Sequence, residues 1–162
     1  MTPIDLIVAC ALDAVLGDPR RLPHPVRLMG KIIGGFEARI RKMVRGPGAV
    51  RMAGIVLALG LPVMSYAAGA WMIELATRLH PQAGRWVGIW LAFTTLAARD
   101  LVDHARAVMR ELETGSLVRA RQAVSRIVGR DTDHLSEPEV VRATVETIAE
   151  STSDGVIAPL VY

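Results

Sequence analysis

Apolar residues in this chain form long runs through the first two thirds and fall at helical spacing in the last third. Ile4 to Leu16 is apolar apart from Asp5 and Asp13. At about 13 residues it is short of the roughly 20 needed to cross a bilayer, so a tilted span, a re-entrant helix and a buried helix all stay open. Asp13 would be costly in lipid and is expected to face protein or water. Gly17 to Pro25, with three prolines, predicts a turn-rich loop. From Val26 a helical pattern follows, apolar at Met29, Ile32, Ile33, Phe36, Ile40 and Met43 and basic at Arg27, Lys31, Arg39, Arg41 and Lys42. A basic amphipathic helix of this kind suits a membrane surface. Gly34-Gly35 leaves open whether it is one unbroken helix, and Gly46-Pro47-Gly48 ends it.

The longest uncharged run, Met52 to Ile73, has 22 residues, enough to span a bilayer. Its glycines and alanines suit close helix packing, and Pro62 is a candidate kink. Thr77 to Arg85 is expected as a short polar loop. Trp86 to Ala98 is a third apolar run. After Arg99 the pattern changes to amphipathic helices. Leu101, Ala105, Val108, Met109 and Leu112 mark one, stopped near Thr114-Gly115. Ser116 caps a second, with apolar positions to Val128 and Gly129 as its stop. Ser136-Glu137-Pro138-Glu139 predicts a capping box opening a third. On that helix Glu139, Arg142, Glu146 and Glu150 share one face, and Val141, Val145 and Ile148 another. Ser151 to Gly155 predicts a polar stop before a further apolar segment near Val156. The fold expected is all-α: a multi-pass integral membrane protein with cytoplasmic amphipathic helices. It would be a single membrane-embedded domain over 1–162, with apolar segments at about 4–16, 52–73 and 86–98 and a cytoplasmic helical region at about 99–155.

Composition supports a membrane setting: 51% of residues are hydrophobic but only 4% aromatic, and the mean hydropathy is +0.33. The net charge of +3 raises the question of nucleic acid. The distribution answers it: nine Lys or Arg lie within positions 20–51, two within 77–85 and eight from Arg99 onward. That asymmetry fits Arg-rich segments held on the cytoplasmic side, and no basic module with interleaved aromatics occurs, so nucleic acid is not expected. The single Cys10 excludes an internal disulfide framework. The first charge is Asp5, so the N-terminus does not resemble a cleaved signal and is expected to be retained.

There is no GxxxxGK[ST], HExxH, CxxC or GxSxG sequence. Glu146, Glu150 and Asp154 are spaced by four and would share a face if the helix reaches Asp154. Carboxylates so placed can hold Mg²⁺ with substrate phosphates. They can equally be a solvated helix face, with Arg142 and Glu146 a surface pair. Asp131, Asp133 and His134 form a second polar cluster, suited to a site or to turn capping. Arg20, Arg21 and Arg27 could bind an anionic substrate or lipid head groups. His24, between two prolines, and His104 have structural readings as well as functional ones.

Several stretches, in order, resemble one family. Ala11 to Ile33 and Ala123 to Tyr162 are similar to adenosylcobinamide-phosphate synthase, the CobD/CbiB family of cobalamin biosynthesis. The signature pieces are Gly17-Asp18-Pro19-Arg20, Pro23-His24-Pro25, Gly129-Arg130-Asp131, and Glu146 through Pro159. The resemblance implies a multi-pass protein of the bacterial inner membrane. It implies ATP-dependent amide formation between adenosylcobyric acid and aminopropanol or its phosphate, with ATP and Mg²⁺ as cofactors. The partners implied are the corrinoid substrate, the amine, membrane lipid and other corrinoid-pathway enzymes. On that footing Glu146, Glu150 and Asp154 are the expected catalytic residues, with Glu150 and Asp154 as Mg²⁺ ligands. Asp18, Arg20, Arg21, His24, Arg27, Arg130, Asp131, Ser151 and Ser153 are the expected substrate-binding residues. Ser151 stands where the family pattern carries Asn, which loses an amide donor. Family members are about twice this length, so the chain corresponds to an N-terminal half. A non-catalytic membrane scaffold for corrinoid enzymes is the alternative.

Overall fold

The computed structural model describes residues 1–17, 25–44 and 46–161. Among them there is no strand. The elements are α1 (Pro3–Leu16), α2 (Pro25–Met43), α3 (Pro47–Leu79), α4 (Pro81–Thr95), α5 (Ala98–Glu113), α6 (Leu117–Val124), α7 (Glu137–Thr152), a π-turn (Ser153–Ile157) and α8 (Ala158–Val161). They divide into two compact units. One comprises Met1–Asp5 and Arg20–Thr94, the other Leu6–Pro19 and Thr95–Tyr162.

In the first unit, Thr2 and Asp5 open α1 with a reciprocal cap. The Thr2 N–H donates to Asp5 Oδ2 at 2.7 Å, and the Asp5 N–H reaches Thr2 Oγ1 at 3.3 Å. The buried Asp5 carboxylate also accepts from Arg85 Nε at 2.7 Å, so each charge meets its opposite. α2 is a continuous helix through Gly34-Gly35, the point at which the sequence leaves its continuity open. Among the described residues nothing lies within 4 Å of a Cβ built on either glycine, so no packing there forces the chain to bend.

α3 has 33 residues, runs unbroken through Pro62 and has no buried residue. Ser65 Oγ donates to the Leu61 carbonyl at 2.7 Å beside the proline. Among the described residues α3 is the one helix long and apolar enough to cross a membrane. At 14 and 15 residues, α1 and α4 fall below the roughly 20 needed.

The expected polar loop from Thr77 to Arg85 is absent. α3 continues to Leu79 and α4 begins at Pro81, leaving His80 as the hinge. The residue before a proline favours extended backbone, and proline suits a first helical position. His80 is extended accordingly, at φ −163° and ψ 135°. Its Nδ1 accepts from the Gln82 N–H at 3.1 Å.

This sharp corner has no room for a side chain at Gly84. A Cβ there would collide with Thr77 Oγ1 and lie 3.2 Å from the Ile73 carbonyl, to which that hydroxyl donates at 2.7 Å. Alanine normally favours a helix over glycine by about 1 kcal/mol, but overpacking costs about 1–3 kcal/mol. Gly84→Ala is therefore expected to destabilise the first unit in thermal unfolding. Adding Thr77→Ala should recover part of the loss, and a doubly substituted protein no better than Gly84→Ala would place the strain elsewhere.

The second unit has a core of Val108, Ala120, Ala123, Val124, Leu135, Val140 and Ala143, contributed by α5, α6, α7 and the segment before α7. α5 ends as expected at Gly115, whose φ of +72° only glycine adopts without strain. The Gly115 and Ser116 N–H groups return to the Leu112 and Glu111 carbonyls at 2.9 and 3.0 Å. α6 stops at Val124 rather than continuing towards Gly129. The chain turns at Ser125–Ile127, and Ile127 and Val128 still pack on the core. Apolar spacing thus persists beyond the end of the helix.

α7 opens with the expected capping box. Glu139 Oε2 accepts from the Ser136 N–H and hydroxyl at 2.7 and 2.6 Å. These bonds hold the Glu139 pKa below its ordinary value. A lowered folded pKa gives stabilisation that is present above the unfolded pKa and lost as pH falls through the folded one. Helicity should therefore decline on acidification below the ordinary Glu range, and Ser136→Ala should blunt that dependence in a circular-dichroism titration. An unchanged acid profile would exclude the cap as its source.

Candidate functional site

The face of α7 that packs inward is not the Val141–Val145–Ile148 stripe. Val140, Ala143 and Thr144 are buried, while Val141 and Val145 are exposed. The buried face is thus rotated by about a third of a turn from the Val141–Val145–Ile148 side, at 3.6 residues per turn. This changes the meaning of the carboxylate stripe. Glu146 and Glu150 flank the packed face instead of lying opposite it.

Nor does the helix stop at Ser151. Backbone geometry passes from α7 into the π-turn, with the Ala158 N–H bonded to the Ser153 carbonyl, and on into α8. π-turns inside helices are uncommon and frequent at functional sites. This one is tied to α5: the Ala97 N–H donates to the Gly155 carbonyl at 3.0 Å. A Cβ on Gly155 would lie 3.2 Å from Ala97 Cβ, so glycine permits that approach.

The consequence is an open cavity of about 680 Å³ in the second unit. Glu146, Thr147, Glu150, Ser151, Asp154 and Gly155 line it from α7 and the π-turn. Gly129 and Arg130 line it from the segment after α6, and Ala97 and Leu101 from the start of α5. Five expected site residues are thereby brought together: Glu146, Glu150, Asp154, Arg130 and Ser151.

Their environments differ. Glu146 is engaged, with Arg142 Nε at 2.7 Å and Arg130 at 3.7 Å. The Arg142 hydrogen bond, with the charges of both arginines, holds its pKa below the ordinary value. It is therefore a carboxylate at neutral pH and unsuited to act as a proton donor. The Arg130 contact is a solvent-exposed ion pair at the cavity rim. No hydrogen bond or ion pair ties the side chains of Glu150 and Asp154 among the described residues, so both can take a ligand. No group of three or more His, Cys, Asp or Glu residues could hold a metal among the described residues. With Glu146 taken up by Arg142 and Arg130, Glu150 and Asp154 are the two lining carboxylates left for a cation, a set suited to Mg²⁺ when phosphate and water oxygens supply the rest.

Asp131 and Ser153 are in the same unit but not in the cavity lining. Asp131 is exposed and accepts from the Asp133 N–H at 3.0 Å, with His134 at 4.0 Å, which is turn chemistry. Ser153 is exposed and does not line the cavity. Arg27 is on α2, in the first unit. Asp18, Arg20, Arg21 and His24 lie outside the described residues.

Two supporting residues had no local sequence signal for their roles. Asp13, expected to face protein or water, is 3% exposed, and its Oδ2 accepts from the Arg99 N–H at 3.2 Å in the first turn of α5. Ala97, the residue preceding α5, has no capping side chain, so Asp13 supplies the cap from α1. Arg99 returns the contact, donating to the Ala14 carbonyl at 2.9 Å and packing on Gly17, whose φ is +62°. The end of α1 and the π-turn thus converge on the first residues of α5.

A family model described as CobD/Cbib protein matches residues 6–162. The chain is 41% identical over 162 residues to the cobalamin biosynthesis protein CobD of Citrobacter koseri, covering 100% of this chain and 51% of that protein. Against CobD of Geobacter metallireducens it is 47% identical over 158 residues, covering 97% and 48%. Against CbiB of Salmonella typhimurium it is 40% identical over 162 residues, covering 100% and 51%. The chain spans about half the length of the curated relatives it matches. No solved structure matches.

Proposed function

Because the chain belongs to the CobD/CbiB family, we propose that it acts in cobalamin biosynthesis, as part of an enzyme that joins adenosylcobyric acid to aminopropanol or its phosphate with ATP. The observation that carries this reading is the cavity with Glu150 and Asp154 on one wall and Arg130 on another. ATP-driven amide formation first transfers the γ-phosphoryl group to the substrate carboxylate, releasing ADP. The amine then attacks the acyl carbon, inorganic phosphate leaves, and the amine's proton passes to a base. Both steps develop phosphate charge that cations stabilise. Arg130 would bind the phosphoryl oxygens, held in place by Glu146. Glu150 and Asp154 would hold Mg²⁺, which supplies charge neutralisation when bound. Ser151 would contribute a hydroxyl to the substrate. Asp18, Arg20, Arg21, His24, Arg27, Asp131 and Ser153 are proposed substrate contacts on the family resemblance alone.

We place the protein in the bacterial inner membrane as a multi-pass protein with the second unit on the cytoplasmic side. α3 supports membrane association, and the Arg-rich flanks support the orientation.

Membranes carrying a full-length relative test the activity. Supplied with adenosylcobyric acid, aminopropanol phosphate, ATP and Mg²⁺, they should form the amide with one ATP consumed per product, and chelation should stop both. Product formation without ATP turnover would overturn the ligase reading. Capture of corrinoid enzymes with no product would favour a scaffold.

A further inference from the structure

We infer that the apolar face of α2 docks on an anionic bilayer surface, at the end of α3 that carries Arg51; the inference rests on α3 crossing the membrane. α2 has no buried residue although it touches α3. Met29, Phe36 and Ile40 are half-buried, whereas Val26, Leu28, Ile32, Ile33 and Met43 are exposed. At about 100° per residue these eight positions form one arc, less than half the circumference. Arg27, Lys31, Arg41 and Lys42 fall on the opposite side, and Arg39 at the margin of the apolar arc.

Charge selects the occupant. α2 carries five basic residues and one acid, Glu37, which Arg41 already engages at 2.7 Å. An anionic lipid surface meets both halves of the pattern, because long basic side chains bury their stems and reach head groups with their tips. Location agrees. Three residues separate α2 from α3, and Arg51 lies in the second turn of α3 just before its apolar run. α2 is therefore tethered at the end of the candidate span, where head groups lie.

The full chain in nanodiscs tests this, with Cys10→Ser removing the native thiol and a fluorophore placed by Ile32→Cys. Nitroxide-bearing phosphatidylcholine serves as the quencher, with or without phosphatidylglycerol. The label at position 32 should be quenched severalfold more when phosphatidylglycerol is present. Each basic residue near an anionic surface shifts such an equilibrium about fivefold. Replacing Lys31, Arg39, Arg41 and Lys42 by Gln should therefore abolish the difference, as should high salt. A label placed by Gly34→Cys, on the polar side, should stay unquenched. No quenching at position 32 in either lipid would overturn the proposal. So would equal quenching in both lipids that survives the four replacements. A label placed by Leu59→Cys in α3 tests the premise separately: without quenching there, the span fails and the docking proposal falls with it.

Discussion

Alanine at the position matching Asp154 or Glu150 in a full-length relative, such as CobD of Geobacter metallireducens, is expected to lower amide formation by about a hundredfold or more. Losing a residue that only supports a metal ligand typically costs about 10–100-fold, and a direct ligand should cost at least the upper end. The folded state should survive, because neither side chain makes a hydrogen bond or ion pair among the described residues and both line an open cavity. Protein level and circular dichroism should thus match the unaltered protein while activity falls, with a raised Mg²⁺ requirement in the milder Glu150→Gln and Asp154→Asn variants. Glu146→Gln should behave differently. Its carboxylate is taken by Arg142 and Arg130, so the main effect should be weaker ATP binding through a displaced Arg130. Full activity in both alanine variants would reduce the stripe to a solvated helix face.

Asp13→Ala is expected to destabilise the second unit by about 1–3 kcal/mol, the cost of leaving a buried backbone donor without its acceptor. The Asp13 carboxylate caps the Arg99 N–H at a helix end with no capping side chain of its own, and α5 carries Val108 of the core. Asp13→Asn keeps an acceptor oxygen in place and loses only the interaction of charge with helix dipole, typically 0.3–1 kcal/mol. Thermal unfolding should therefore rank the unaltered chain first, Asn next and Ala last. Equal melting of the Ala and Asn variants would mean that the hydrogen bond is not what matters. Because Ala97 and Arg99 sit two residues apart on the strut that meets both Asp13 and Gly155, the alanine variant should also loosen the π-turn. That would appear as faster amide hydrogen exchange around Gly155.

Much of the fold was legible because its signals are local. The all-helical class, the unbroken apolar run that became α3, the Gly115 stop and the Ser136–Glu139 capping box each depend on a few neighbouring residues. The errors share a different cause. The polar residues around His80-Pro81 read as a loop in the sequence, whereas two helices can abut around one extended residue. Val141, Val145 and Ile148 form an apolar stripe in the sequence, but periodicity gives the shape of such a stripe and not its partner. Facing α5 and α6, the side of Val140, Ala143 and Thr144 was the one that fitted.

Local sequence is enough to make the chain helical, to give one segment the length and apolarity to span a membrane, to supply residue types that could bind phosphate and metal, and to carry the family resemblance. Those properties follow from propensity, spacing and chemistry along a short stretch. Only the tertiary structure decided that the Ser-Asp-Gly stretch continues as a π-turn, and that Glu150, Asp154, Ser151 and Arg130 line one cavity. That outcome depends on Ala97 reaching the Gly155 carbonyl and Asp13 capping α5, contacts across 58 and 86 residues of chain. Packing places such partners, and no local pattern encodes them.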